Sequence, residues 1–169
     1  QERMIILLDF EKILADVNPE MNKKMTAVPH STPDLVQLRR KKTILIAEDS
    51  RMLRDLLLGT LHSAGYNTID NENGQEAWDK LESFANGDVP VSDIIQLIIT
   101  DIEMPRMDGH HLTKRIKSHP RLKELPVVIF SSLINEEMRL KGEALGAFAQ
   151  ITKPEIEQLI GIVDQKIAI

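Results

Sequence analysis

Asp101 closes the most apolar stretch of the chain, Ile94-Ile95-Gln96-Leu97-Ile98-Ile99-Thr100, and opens a segment that carries Pro105 and Gly109. Two further acids, Glu48-Asp49, close the apolar run Ile44-Leu45-Ile46-Ala47. Ser131 follows Val127-Val128-Ile129-Phe130, and Lys153 stands directly before Pro154. Three carboxylates brought within about 4–6 Å repel one another by roughly 3–4 kcal/mol per pair at an effective dielectric of 20, so a fold keeps them together only for a reason, of which a hard divalent cation is the simplest. An all-oxygen site with few protein ligands suits Mg²⁺, which keeps several waters and bridges carboxylate to phosphate. Lys153 would supply a point charge for one phosphoryl oxygen and Ser131 a hydrogen bond for another. In that setting Asp101 reads as a nucleophile that accepts a phosphoryl group.

The elements that must position these groups follow from periodicity. Ile44 to Ala47 reads as a strand, and Ser50 caps a helix whose apolar residues Leu53, Leu56, Leu57, Leu61 and Ala64 keep helical spacing up to Gly65. Tyr66 to Ile69 predicts a short second strand. Asn73 with Glu76 three residues on predicts a capping-box start to a helix that closes near Asn86-Gly87. Ile94 to Thr100 is the third strand, and a helix around Leu112 and Ile116 follows it and stops at His119-Pro120. Val127 to Phe130, a helix from about Asn135 to Leu145, Phe148 to Ile151, and a last helix bearing Ile156, Leu159, Ile160, Val163 and Ile167 complete five strand-helix pairs.

Strands alternating with helices run parallel and cross over right-handed, which makes the fold class α/β, a doubly wound five-stranded parallel sheet of the flavodoxin-like kind. The common strand order 2-1-3-4-5 has its switch point between the first and third strands, where Glu48-Asp49 and Asp101 stand. Residues 43–169 therefore form the main domain.

Composition narrows the function. The 169 residues contain no Cys, which excludes disulfides, thiolate nucleophiles and cysteine zinc sites. A net charge of −5, with Lys and Arg scattered apart from Arg39-Arg40-Lys41-Lys42, argues against nucleic acid as a partner. No apolar run approaches the length of a membrane span, and the chain is of a cytoplasmic type. Met4 to Phe10 predicts a strand and Glu11 to Val17 a helical turn or two, a fragment too small for its own core. Residues 1–20 are accordingly expected to be the end of an upstream domain, and 21–42 a linker.

Single residues have ordinary readings too. An acid at a strand end is usually a cap or turn former, and Ser131 or Ser132 could merely satisfy backbone. The joint placement at four strand ends carries the functional reading. His30, His62, His110, His111 and His119 show no ligand spacing and read as solvated surface, and Trp78 reads as packing.

The set Glu48-Asp49, Asp101, Ser131 and Lys153-Pro154 resembles the signature of bacterial response-regulator receiver domains over about residues 43–167. The resemblance implies that Asp101 is the phosphoacceptor and that Asp49, Asp101 and the main-chain carbonyl of Glu103 hold Mg²⁺ with help from Glu48. It implies that Ser131 and Lys153 contact phosphoryl, and that the Lys153-Pro154 peptide is cis. Many such domains place an aromatic residue three before the lysine, whereas this chain has Gln150, so ring rotation is not available as a switch.

The strings Phe130 to Met138 and Lys141 to Ala147 are similar to chemotaxis coupling proteins in which a CheW-like scaffold domain precedes the receiver. Met4 to Leu14 is similar to the end of that scaffold. This likeness implies the histidine kinase CheA as phosphodonor, chemoreceptors as partners through the scaffold, and a location at receptor arrays. Such a module phosphorylates and dephosphorylates itself and is not a turnover enzyme. A receiver that acts only as a phosphate sink is one alternative. A haloacid-dehalogenase-like phosphatase is another, but its nucleophile ends the first strand and its second acid is Asp. An FMN-binding flavodoxin would need a phosphate loop where Glu48-Asp49-Ser50-Arg51 puts negative charge.

Overall fold

The computed structural model describes residues 32–132 and 134–168. The strand and helical turns expected within residues 1–20 lie outside the described residues. In the second half of the expected linker the chain forms a helix, α1 (Pro33–Arg39), capped by Thr32 with proline at its first position.

The strands are β1 (Thr43–Ala47), β2 (Asn67–Asn71), β3 (Leu97–Thr100), β4 (Val127–Ser131) and β5 (Ala149–Thr152). Between and after them run α2 (Arg51–Ala64), α3 (Gly74–Ala85), the single turn α4 (Val91–Ile94), α5 (Gly109–Ser118), α6 (Glu136–Ala144) and α7 (Ile156–Ile167). All four pairings are parallel and the order is β2-β1-β3-β4-β5, as the alternation predicts. Ala47 lies in register with Thr100, so the acids that follow β1 and β3 emerge side by side.

Side chains alternate across the sheet and build a core on each face. Ile44, Ile46, Ile99, Val128 and Phe130 pack with Leu57 and Leu61 of α2 and Leu159, Ile160 and Val163 of α7. Leu45, Ala47, Ile98 and Val127 pack on the other face with Ala77, Trp78 and Leu81 of α3 and Leu112 and Ile116 of α5. Each such aliphatic side chain contributes about 1.5–3 kcal/mol on burial. These two cores hold the strand ends rigid. Trp78 is packing, as expected, with the Arg115 guanidinium 4.1 Å from its ring centroid.

Strand limits differ from the sequence expectation, by a residue in β1 and β4 and more visibly in β3, β2 and β5. Ile94 and Ile95 do not extend β3: Val91–Ile94 form a helical turn, and Gln96 fastens it by donating to Ser92 O at 2.6 Å and accepting from Thr43 N at 2.7 Å. β2 begins at Asn67 and runs to Asn71, while Tyr66 is drawn into the core. β5 is likewise displaced by one residue toward its carboxyl end. The helix ends hold as predicted: Gly65 caps α2 at φ 106°, in the left-handed region that favours glycine.

α1 is fastened by a buried network. Arg39, 1% exposed, donates to Asp164 through Nε at 2.8 Å and Nη2 at 2.5 Å, and to Ala64 O at 3.1 Å. The Tyr66 hydroxyl donates to the same Asp164 at 2.5 Å. The hydrogen bond to Asp164 raises the guanidinium's pKa.

Candidate metal and phosphoryl site

Glu48 and Asp49 leave the end of β1, and the next residue, Ser50, turns the chain into α2 as its N-cap. Ser50 N donates to Glu48 Oε1 at 3.0 Å, and Glu48 N donates to Asn71 O at 3.1 Å. Asp101 leaves β3 with its N–H bonded to Ala47 O at 2.9 Å and its Oδ1 accepting from Ile102 N at 2.7 Å. The loop then folds back so that Gly109 N donates to Ile102 O at 2.9 Å. A Cβ at Gly109 would lie 1.9 Å from the Asp101 carbonyl oxygen, so only glycine allows this return.

One carboxylate oxygen from each of Glu48, Asp49 and Asp101 lies within 4.8 Å of the others. Glu48 and Asp101 are buried, 1% and 4% exposed, whereas Asp49 is exposed. Lys153, 5% exposed, sits between the two buried acids, with Nζ 3.1 Å from Asp101 Oδ2 and 3.2 Å from Glu48 Oε2. The contact to Glu48 is an ion pair, and among the described residues Oε2 has no further partner. A buried oxygen with an unused lone pair, flanked by two more carboxylates, is the donor set of a hard divalent cation and fits Mg²⁺.

Ser131 ends β4 at the same edge, buried, in register with Thr152 beside Lys153. Glu103 follows Asp101 by two residues, with its side chain exposed. The structure thus brings Glu48, Asp49, Asp101 and Lys153 into contact range and places Ser131 and Glu103 on the adjoining segments. Among the described residues no peptide bond is cis, so the cis Lys153-Pro154 bond implied by the resemblance finds no support.

Residues 44–164 match the response regulator receiver domain family. The chain belongs to that family. Chemotaxis protein CheV3 of Helicobacter pylori is 27% identical over 158 residues, which cover 93% of this chain and 49% of that protein. Chemotaxis protein CheY1 of the same organism is 32% identical over 118 residues, 69% of this chain and 89% of CheY1. The receiver chain therefore spans about half the length of the CheV-type relative. The Mn²⁺-bound form of the response regulator Rcp1 superposes with a TM-score of 0.62 at 25% identity, over 73% of this chain and 92% of that one. Receiver-type phosphoacceptor function in two-component signalling follows from this membership, as does a place outside the classical enzymes.

Burial, and next the Asp101 charge, push the Glu48 carboxyl up to about 7. Burial also raises Asp101, against the lowering effect of Lys153 and of the Ile102 N–H. Both carboxyls hold a proton more tightly folded than unfolded. For both, the contribution to stability is complete below the ordinary carboxyl range and is lost as pH rises above it, for Glu48 from near 4.5 through about 7. For Glu48 the loss is on the order of 3 kcal/mol. A cation that binds only the folded protein returns about 1.4 kcal/mol at tenfold excess over Kd. MgCl₂ should accordingly raise Tm more at about pH 8 than at about pH 5, and Asp49→Ala should blunt the rise. Thermal melts by circular dichroism check this, and equal Mg²⁺ shifts in the two proteins would place the ion elsewhere.

The structure corrects one sequence reading and adds residues that it passed over. His110 is not solvated surface: it is 4% exposed against α6, among the described residues its Nε2 has no hydrogen-bond partner, and burial followed by the Lys141 charge lowers its pKa. Gln150 is not merely an absent ring. Its Nε2 donates to Arg139 O at 2.7 Å, tying β5 to α6, and Gly142 leaves the room, since a Cβ there would lie 2.5 Å from Gln150 Oε1. Gly142 is the buried residue of α6, so this helix is lightly held. Arg54, on the apolar side of α2, was legible only as a charged residue beside Leu53 and Leu57.

Proposed function

We propose that this chain is the phosphoacceptor part of a CheV-type chemotaxis coupling protein, which takes phosphoryl from a phosphohistidine of CheA onto Asp101. The phosphorylated domain then changes how an upstream CheW-like scaffold couples chemoreceptors to that kinase, at receptor arrays in the cytoplasm. The observation that carries the phosphoacceptor reading is a buried Asp101, at the switch point of the sheet, shared between Lys153 and two further carboxylates. The extent of the matches supports the finer reading. CheV1, CheV2 and CheV3 of Helicobacter pylori align over 93–96% of the chain, past the receiver and into the residues before it, whereas CheY1 aligns over 69%.

An Asp101 carboxylate oxygen attacks the phosphorus, the P–N bond breaks, and the imidazole leaves with the electron pair and takes a proton from solvent water. Glu48, Asp49, Asp101 and the Glu103 carbonyl would hold Mg²⁺, which would offset charge on the transferring oxygens. Lys153, already poised on Asp101 Oδ2, exchanges that contact for a phosphoryl oxygen, and Ser131 donates to another. Asp101 Oδ1 remains oriented by the Ile102 N–H throughout.

The test is phosphotransfer from purified phosphorylated histidine kinase with Mg²⁺, followed by mass-spectrometric mapping. One phosphoryl per chain, on Asp101, is the expected result. Labelling at another residue, or turnover of a small phosphate ester in place of stoichiometric labelling, would overturn the reading.

A further inference from the structure

Asp49 is the exposed member of the acidic cluster, and among the described residues its carboxylate accepts no hydrogen bond. No side-chain partner holds it, so the backbone at Asp49 decides which directions its carboxylate can reach. Asp49 N belongs to the peptide plane whose oxygen is Glu48 O, and that oxygen accepts from Arg54 Nη1 at 2.8 Å. Arg54 is 7% exposed and reaches two other segments: Nη2 donates to Glu72 Oε1 at 3.1 Å, and Nε lies 3.4 Å from Asp70 Oδ2. The guanidinium thus spans the loop after β1, the end of β2 and the turn before α3. Its planar fork suits three directed contacts in a way that a lysine ammonium does not.

We propose that Arg54 is a positioning residue for the acidic site. It locks the Glu48-Asp49 peptide plane and so aims the Asp49 carboxylate at the cation, while Asp70 and Glu72 cancel its charge. The inference rests on the cluster being a divalent-cation site. Charge and geometry here make opposite predictions. On Coulomb grounds alone, removing a cation and uncovering two carboxylates near a Mg²⁺ site tightens Mg²⁺ binding. On positioning grounds it weakens binding, by roughly tenfold, as the loss of outer partners of metal ligands does.

The experiment is Mg²⁺ titration of wild type, Asp49→Ala, Arg54→Met and Arg54→Lys, with Kd from calorimetry and fold integrity from circular dichroism. Arg54→Met is expected to bind several-fold more weakly than wild type. Arg54→Lys, with its charge intact and one directed donor, is expected to fall between them, and it carries the test if the methionine variant does not fold. The weakening should persist in about 0.5 M salt, where the screening length is near 4 Å, because a lost hydrogen bond is not screened. Asp70→Asn with Glu72→Gln leaves the bond to Glu48 O in place, so any loss there should fade in the same salt. Arg54 variants that bind Mg²⁺ as tightly as wild type or more tightly, while Asp49→Ala does not bind, sink this inference and leave the site reading intact. Absence of Mg²⁺ binding by the wild type sinks the site reading itself.

Discussion

Asp101→Asn is expected to abolish phosphoryl acceptance while leaving the fold intact. The amide matches the carboxylate in volume but is neither a nucleophile nor an anion, so no P–O bond forms at residue 101. Folding should not suffer, because burial raises the Asp101 carboxyl and its ionised form is already disfavoured in place. Lys153 keeps its partner Glu48 Oε2 at 3.2 Å. The change also removes the second cause of the raised Glu48 carboxyl, so Glu48 should titrate lower in this variant. Phosphotransfer assays with radiolabelled kinase and carboxyl-resolved NMR titration check the two halves. Wild-type labelling of the variant, at that position or a neighbouring one, would exclude Asp101 as the acceptor.

Breaking the pair between Arg39 and Asp164 should give the largest loss of stability of any single change outside the aliphatic core. Among the described residues, Arg39→Met leaves Asp164 buried with the Tyr66 hydroxyl as its remaining side-chain partner, and an uncompensated buried charge costs about 3–5 kcal/mol. For a domain of this size that lowers Tm by roughly 10 °C or more. Replacing both charges, as in Arg39→Met with Asp164→Leu, should recover much of the loss, since the desolvation of two ions is then avoided. Urea denaturation of the single and double variants measures the coupling. An Arg39→Met midpoint equal to that of wild type would show that α1 is not part of the folded unit. The pair fixes α1 to α7 and to the end of α2.

The class of fold and the acidic site were legible because both depend on local, repeated signals. Apolar runs alternating with helical stripes specify parallel strands, and parallel strands in this number bring their carboxyl ends to one edge. Glu48, Asp49, Asp101 and Lys153 needed only that topology and the register of Ala47 with Thr100 to meet. Strand limits were less legible, since Ile94-Ile95 is as apolar as the strand it precedes. A side chain, Gln96, decides where the turn stops by bonding to both Ser92 O and Thr43 N.

What the sequence determined alone was the set of candidate groups and the edge on which they stand. Tertiary structure decided how each is held. Arg39 and Arg54 look like solvated cations in the chain, yet their partners lie 125 residues away in the first case and, in the second, across three segments of backbone. His110 looks like half of an exposed pair, yet α6 covers it. Gln150 looks like an aromatic gone missing, yet a glycine notch in α6 makes it a hydrogen-bonded tie. Periodicity reports which face a residue occupies. It carries no information about which distant carbonyl or carboxylate a long polar side chain will reach, because that depends on the packing of elements that only the completed fold brings together.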